Sequence, residues 1–192
     1  NIENLFDDKD DPALSGDNED KDMTKPESQR KAAAVAIHAI DADVLALVEV
    51  ESKEAVLWFR DQFLSDMGYQ YVASIDAGDE RGIEQAVLSR YPIDEVKNWV
   101  KLPLGGTHPE RWGSGSNREA GKPITFHRSP LEVTVTVPVE AASHYTAPDG
   151  EAVKTTKPYA LTMLVVHQKS GGPGGYWREK EATKTVEIVK EL

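Results

Sequence analysis

Residues 43–51 read Asp-Val-Leu-Ala-Leu-Val-Glu-Val-Glu, an apolar run that finishes in carboxylates. A run that is apolar at successive positions is typical of a strand buried on both faces. Because α/β proteins place ligands at the carboxyl ends of buried strands, Glu49 is a candidate ligand-binding residue. The same pattern also fits a strand-end acid that only faces water, and this stretch alone does not decide between the two.

A second apolar strand, predicted over residues 159–167, also ends in a polar side chain, that of His167. A lone histidine at a strand end is more often structural than catalytic. Two such ends in one sheet favour a shared site, because neighbouring strands could bring their tips together. A third segment, residues 81–93, places Glu84 at the entry of another buried strand.

Helical spacing of apolar residues predicts amphipathic helices between these strands. Ser28 is the expected N-cap of the first helix, and Gly68 is the expected stop of the second. The predicted helices cover residues 28–40, 52–67 and 177–192, and further strands are predicted over residues 69–74, 83–90, 95–100 and 131–137. Residues 102–122 and 141–158 are predicted to be long loops.

Composition bounds the function classes. The chain has 192 residues, enough for one domain, and its net charge of −11 argues against tight binding of nucleic acid by counterion release alone. A nucleic-acid substrate stays open if metal ions neutralise its phosphates. The absence of cysteine excludes disulfides and thiolate metal sites. No apolar run approaches the ~20 residues that a membrane span needs, so we expect none.

Four motifs in order carry a family resemblance. They are Asn-Ile-Glu-Asn-Leu-Phe-Asp at residues 1–7, Ala-Asp-Val-Leu-Ala-Leu-Val-Glu-Val at 42–50, the segment 82–93 ending in Leu-Ser-Arg-Tyr-Pro-Ile, and Val-His-Gln-Lys-Ser at 166–170. Together they resemble the endonuclease/exonuclease/phosphatase superfamily, the DNase I-like metal-dependent phosphoesterases. The similarity spans almost the whole chain and is greatest to bacterial members.

The resemblance implies a fold and a set of site residues. The fold is a four-layer α/β sandwich of two packed mixed β-sheets flanked by helices, with residues 1–192 forming a single domain. The implied roles are metal binding for Glu49 and Asn1, catalysis for His167, Asn1 and Glu84, and phosphate contact for Arg81 and Arg128. Glu84 would orient His167, and a neighbouring acid is expected to favour the charged form of the imidazole.

The implied activity is hydrolysis of a phosphate ester by in-line attack of water, with nucleic acid among the candidate substrates. The expected cofactor is Mg²⁺ or Mn²⁺, with Ca²⁺ as an alternative, because hard cations take carboxylate, phosphate and water oxygens. A secreted or periplasmic location in a bacterium is favoured over a cytoplasmic one.

The sequence departs from the family pattern near its end. The family's Gly-Asp-Phe-Asn-like segment and final Asp-His pair are absent from these residues, so we expect a truncated domain that lacks turnover alone. The start of the first strand is also expected to be missing. Missing strands would leave an open sheet edge able to associate with another copy. The alternative function is a non-catalytic binding or structural module of the same fold.

Three other features have two readings each. The glycine-rich residues 171–175 could bind phosphate before a helix, but a flexible connector is favoured because a P-loop Lys-Ser/Thr is lacking. Trp112, Tyr176 and Trp177 could stack on bases, and ordinary packing is favoured. Residues 7–22 could form a calcium loop, and a solvated acidic loop is favoured.

Overall fold

The computed structural model describes residues 1–9, 21–142, 146, 148, 150–151 and 155–192. The helices within these ranges are α1 (Glu27–Ile40), α2 (Lys53–Phe63), α3 (Val139–Ala142) and α4 (Gly175–Glu191). The strands are β1 (Val44–Val50), β2 (Tyr71–Ser74), β3 (Glu84–Ser89), β4 (Ile93–Asn98), β5 (Pro103–Thr107), β6 (Arg111–Trp112), β7 (Gly115–Ser116), β8 (Pro123–Thr125), β9 (Leu131–Val137) and β10 (Tyr159–Val165). The chain is a mixed α/β protein, as the sequence predicts.

The described strands form two three-stranded sheets and two small hairpin-like pairs. The first sheet has the order β1-β3-β2 and the second the order β10-β9-β4, while β5 pairs with β8 and β6 with β7. All of these pairs are antiparallel. A parallel bridge also joins Leu5 to Val50, so the N-terminal segment runs beside the end of β1.

The two three-stranded sheets pack face to face. One hydrophobic cluster combines Ala73 and Val87 of the first sheet with Leu131, Val133 and Val135 of the second. Side chains of the opposite face of the first sheet pack against α1 and α2 in another cluster. A third cluster joins α4 to β5 and β8 through residues such as Trp177 and Ile124. Burial of these apolar faces is the main stabilising contribution to the fold.

Two helix boundaries in the structure differ from those predicted from the sequence: the start of the first helix and the end of the second. The first helix begins at Glu27 directly after Pro26, and Ser28 lies inside it, because proline has the fixed φ that suits a helix start. The second prediction is correct at its start, where Ser52 Oγ accepts a hydrogen bond from Ala55 N. That helix ends at Phe63 before the turn that reaches Gly68, since Leu64 leaves the helical conformation.

The prediction of one long loop over residues 102–122 is wrong. This segment contains β5, β6 and β7. The strand β5 pairs with β8, which follows it after an intervening hairpin, and such a pairing leaves no local periodicity for a sequence pattern to show. The predicted loop at residues 7–22 lies mostly outside the described residues, and so does its interpretation as a calcium loop. The predicted loop at residues 141–158 lies partly outside them, and its first two residues end α3.

Among the described residues, none of the helices has both the length and the apolar character that crossing a membrane requires.

Candidate functional site

The candidate site lies where four strand termini meet. The strands β1 and β10 end here, and their antiparallel neighbours β3 and β9 begin here. In the first sheet Val50 lies opposite Glu84, and in the second Val165 lies opposite Leu131. Because the sheets pack face to face, the loops that follow β1 and β10 and the loops that precede β3 and β9 converge.

Glu49 and His167 meet at this end of the two sheets. The Glu49 Oε1 and His167 Nε2 atoms lie 3.5 Å apart, and each side chain is 16% exposed. The two residues come from different sheets, so their contact depends on the packing of one sheet on the other. This is the juxtaposition that the two polar strand ends predict, although the partner strands belong to facing sheets instead of one sheet.

The backbone around Glu49 is strained. Glu49 has a φ of 65° and sits at a bulge where the register with β3 shifts. Glu3 and Asn4, in the neighbouring N-terminal segment, also have positive φ values of 58°. Left-handed conformations at non-glycine residues cost about 1–3 kcal/mol each and concentrate at functional sites. Three of them together therefore support a binding or catalytic role for this corner.

One buried carboxylate, that of Asp79, contacts the side chain of one arginine and the backbone of another. Its Oδ2 atom lies 2.8 Å from Nε of Arg128 in an ionic contact that lacks hydrogen-bond alignment, and both residues are 2% exposed. Its Oδ1 atom accepts a hydrogen bond from Arg81 N at 2.9 Å. The Arg81 guanidinium in turn donates to Asn4 Oδ1 at 2.6 Å. The two cations are thus tied to the strained N-terminal segment and to the core.

A second buried carboxylate holds two loops together. Glu181 of α4 is 1% exposed, and it accepts hydrogen bonds from His127 N at 2.9 Å and Lys169 N at 3.0 Å. Burial raises the pKa of Glu181, and the two backbone donors oppose that rise. The helix α4 therefore braces the loop that follows β8 against the loop that follows β10, which carries His167.

The environment of His167 favours the neutral imidazole. Burial lowers its pKa first, the positive charge of Arg128 lowers it further, and Glu49 and Asp79 oppose the change. The expectation that a neighbouring acid favours the charged form is therefore not met, because burial and Arg128 outweigh the carboxylates. Within the described part of the chain, the buried Nδ1 atom has no hydrogen-bond partner.

His127 beside the cluster is also held neutral. Burial lowers its pKa to about 3, and Arg128 is the next largest cause. In the folded state His127 stays neutral down to about pH 3, whereas in the unfolded chain it becomes protonated below about pH 6.5. The stabilisation is therefore complete above about pH 6.5 and is lost as the pH falls toward 3.

We expect the substitution His127→Gln to remove this pH dependence. The difference in unfolding free energy between wild type and variant should change by about 1 kcal/mol per pH unit between roughly pH 6 and pH 4. Urea unfolding at a series of pH values measures it. His38→Gln, at an exposed histidine, is the matched control and should leave the slope unchanged. Parallel curves for wild type and His127→Gln would contradict this account.

The six residues predicted from the sequence fall into two groups. The structure brings Glu49, His167, Arg81 and Arg128 into one neighbourhood, since the other three all act on the pKa of His167. Asn1 lies outside it: its exposed side chain accepts a hydrogen bond from Glu3 N at 2.7 Å.

The groove that Asn1 lines runs between α1 and β1. Glu84 is buried at the start of β3, where its Oε2 atom accepts from Ser74 Oγ at 2.8 Å.

Sequence reasoning missed Asn4, Asp79, His127, Lys169 and Glu181. Asp79 carries a local sequence signal, because an aspartate followed three residues later by glycine is typical of a tight turn. The structure has that turn, in which Gly82 N donates to Asp79 O at 3.1 Å. Lys169 also carries a signal through its place two residues after His167. Asn4 lies within the first quoted motif, whereas His127 and Glu181 carry no signal that a single sequence shows.

The donor set bears on the expected metal ion. Among the described residues, no group of three or more histidine, cysteine, aspartate or glutamate side chains is arranged to hold a metal. A Mg²⁺ site needs fewer protein ligands, because this ion is held by one or two carboxylates together with substrate phosphate and waters. Glu49 supplies one such carboxylate, since it is 16% exposed at the end of β1.

Comparison with known proteins gave no relative: no protein-family model, no curated protein and no solved structure matches the chain.

Proposed function

We propose that this protein is a divalent-metal-dependent phosphoesterase with the four-layer DNase I-like sandwich that its motifs resemble. The observation that carries the proposal is the 3.5 Å approach of Glu49 and His167 beside two buried or half-buried arginines. A carboxylate for a cation, a histidine and two guanidinium groups are the parts that binding and polarising a phosphate ester requires.

The cations are the groups that would bind the phosphate. Arg81 and Arg128 act on the pKa of His167, and Lys169 joins them around the neighbouring His127. Arg81 and Lys169 line a cavity and would contact the phosphate directly, whereas Arg128 is 2% exposed and would contribute its charge from beneath the site. Guanidinium groups bind phosphate through paired N–H donors, and the Arg81 guanidinium is positioned by Asn4 Oδ1 while its backbone N donates to Asp79. This arrangement supports an anion as the ligand.

His167 would act on the phosphate as a hydrogen-bond donor. Its neutral imidazole carries one N–H, and a donor aimed at a phosphoryl oxygen stabilises the charge that develops during in-line attack of water. Glu49 at 3.5 Å would orient the ring, or hold the cation, from a strand end that the sheet keeps rigid. When bound, Mg²⁺ or Mn²⁺ supplies neutralisation of the phosphate charge and polarisation of the attacked ester.

Calorimetric titration of the 192-residue chain with 2-deoxyribose 5-phosphate tests the binding part of the proposal. We expect Mg²⁺ to tighten binding by about tenfold or more, since Glu49 would hold the ion and the ion would neutralise charge on the phosphate. Addition of EDTA should return the affinity to its metal-free value. Absence of binding, or binding that ignores Mg²⁺, would contradict a metal-dependent phosphate site.

Hydrolysis of bis-p-nitrophenyl phosphate separates an enzyme from a non-catalytic module of the same fold. We expect little or no turnover from the 192 residues alone, because the family's water-activating acid and final histidine are not among them. A longer chain that joins these residues to a segment with the Gly-Asp-Phe-Asn-like and Asp-His motifs should show Mg²⁺-dependent turnover. A chain that carries them, binds phosphate and still fails to hydrolyse the diester would favour the binding module.

A further inference from the structure

A pocket beside the candidate site has aromatic walls. We infer that the pocket walled by Trp112 and Trp177 is a binding subsite for a planar aromatic ring attached to the phosphate ester, the nucleobase of a nucleotide. This inference rests on the proposed function, because it takes the phosphate to lie at Arg81 and His167.

The pocket and the site share side chains. A cavity of about 430 Å³ is lined by Trp112, Trp177, His127, Arg81 and Lys169 together with residues of the β6–β7 hairpin. Its volume is within the range of small-molecule sites, which starts at roughly 300 Å³. Because Arg81 faces both the cavity and the site, a ring in the cavity can be linked directly to a phosphate at the site.

The wall formed by Trp177 is rigid. Its indole Nε1 donates to Thr125 O at 2.6 Å, and the residue is 7% exposed. The ring stands edge-on to His108 at 4.4 Å and to His127 at 5.0 Å between centroids. Tyr176 is likewise engaged, with its hydroxyl 2.7 Å from His108 Nδ1. These two residues fit the packing alternative that the sequence favours.

Trp112 differs from them because it remains half-exposed. It stands on β6, where the turn into β7 passes through Gly113 at a φ of 61°. Its ring is inclined 68° to that of Trp177, with 6.1 Å between centroids, so the two rings form adjacent walls of the cavity. A half-exposed indole that lines a cavity has ring surface available for stacking.

Three cations and two acids, Glu80 and Glu119, line the cavity beside this indole. Lys169 Nζ lies 5.2 Å from the centroid of Trp112, and Arg81 and the exposed Arg118 line the same cavity. Aromatic platforms within a cationic groove are how proteins bind the bases and phosphates of single-stranded nucleic acids and nucleotides. An inositol phosphate could pair with the cations, and a choline group could lie against the indole. Neither has a planar ring that could stack on Trp112 while its phosphate pairs with the cations.

Paired calorimetric titrations in Mg²⁺ test the inference. The probes are thymidine 5′-phosphate and 2-deoxyribose 5-phosphate, which share the sugar phosphate and differ by the base. We expect the nucleotide to bind about tenfold more tightly, within the range that base–aromatic stacking gives. Trp112→Leu should remove that tenfold difference and change the affinity for the sugar phosphate by less than about twofold.

Two variants serve as controls. Trp112→Phe keeps an aromatic face and should retain most of the preference for the nucleotide. Trp58→Leu alters a tryptophan of α2, which packs with α1 on the other side of the first sheet, and should leave both affinities unchanged. Far-ultraviolet circular dichroism of each variant establishes that it is folded before its affinities are compared.

The outcomes separate this inference from the proposed function. If the sugar phosphate binds and the base adds nothing, or if Trp112→Leu keeps the difference, the subsite is refuted while the phosphate site stands. If neither probe binds, both are refuted. If a thymidine oligomer binds more tightly than the mononucleotide, and this gain in affinity requires Trp112, the ligand is a single-stranded nucleic acid. Equal affinities identify a free nucleotide.

Discussion

Replacing Asp79 with alanine should lower the free energy of unfolding by about 3–5 kcal/mol, because the substitution leaves a buried guanidinium without its counter-charge. Arg128 is 2% exposed and has Asp79 as its ion-pair partner at 2.8 Å. Burial already lowers the pKa of Arg128, and Asp79 is the group that most strongly opposes this. Urea unfolding followed by circular dichroism measures the loss.

Two further variants establish the cause of that loss. In Asp79→Ala/Arg128→Met the unpaired charge is gone, and we expect a substantial part of the stability to return. Asp41→Ala removes a carboxylate that is 70% exposed from its pair with Arg90, and should cost at most about 1 kcal/mol. An Asp79→Ala variant no less stable than Asp41→Ala would show that the buried pair does not support this corner.

Removing either Glu49 or His167 should weaken phosphate binding in different ways. Glu49→Gln keeps the size of the side chain and removes its charge, so the Mg²⁺-dependent gain in affinity for 2-deoxyribose 5-phosphate should disappear. His167→Ala removes a donor to a charged group, a loss of roughly 1.5–3 kcal/mol, which corresponds to about 10- to 100-fold in affinity. Titrations with and without Mg²⁺ separate the two effects.

Glu54→Gln is the matched control for Glu49→Gln. Glu54 is an exposed acid in the first turn of α2, and its substitution removes the same charge without touching the site. Both variants of the site should unfold at urea concentrations near that of the wild type. Retention of the Mg²⁺ effect in Glu49→Gln would contradict the role given to this carboxylate.

The strand ends could be read from the sequence because each combines two signals. An apolar run marks a buried strand, and a polar residue at its end marks a position at the sheet's edge, as at Glu49 and His167. The packing of two sheets that brings these ends within 3.5 Å is not a local property. The motif resemblance led us to expect that packing, and the antiparallel partners of β1 and β10 show how it arises.

The supporting residues could not be read in the same way. Glu181 sits in an amphipathic helix and has the sequence signature of a surface acid, but α4 turns it toward the loops that carry His127 and Lys169. Asp79 lies in a polar turn that predicts only a connection between β2 and β3. Burial of such a charge depends on long-range contacts, such as the bond from Ser129 N to Ala77 O at 2.9 Å.

The central claim is that Glu49 and His167 belong to one cation and phosphate site. Mn²⁺ titration of ¹⁵N-labelled protein, followed through the imidazole signals of its five histidines, tests it most directly. We predict that Mn²⁺ broadens the signal of His167 first and leaves that of the exposed His38 sharp, and that Glu49→Gln abolishes the selective broadening. Broadening that spares His167, or that persists unchanged in Glu49→Gln, would contradict the claim.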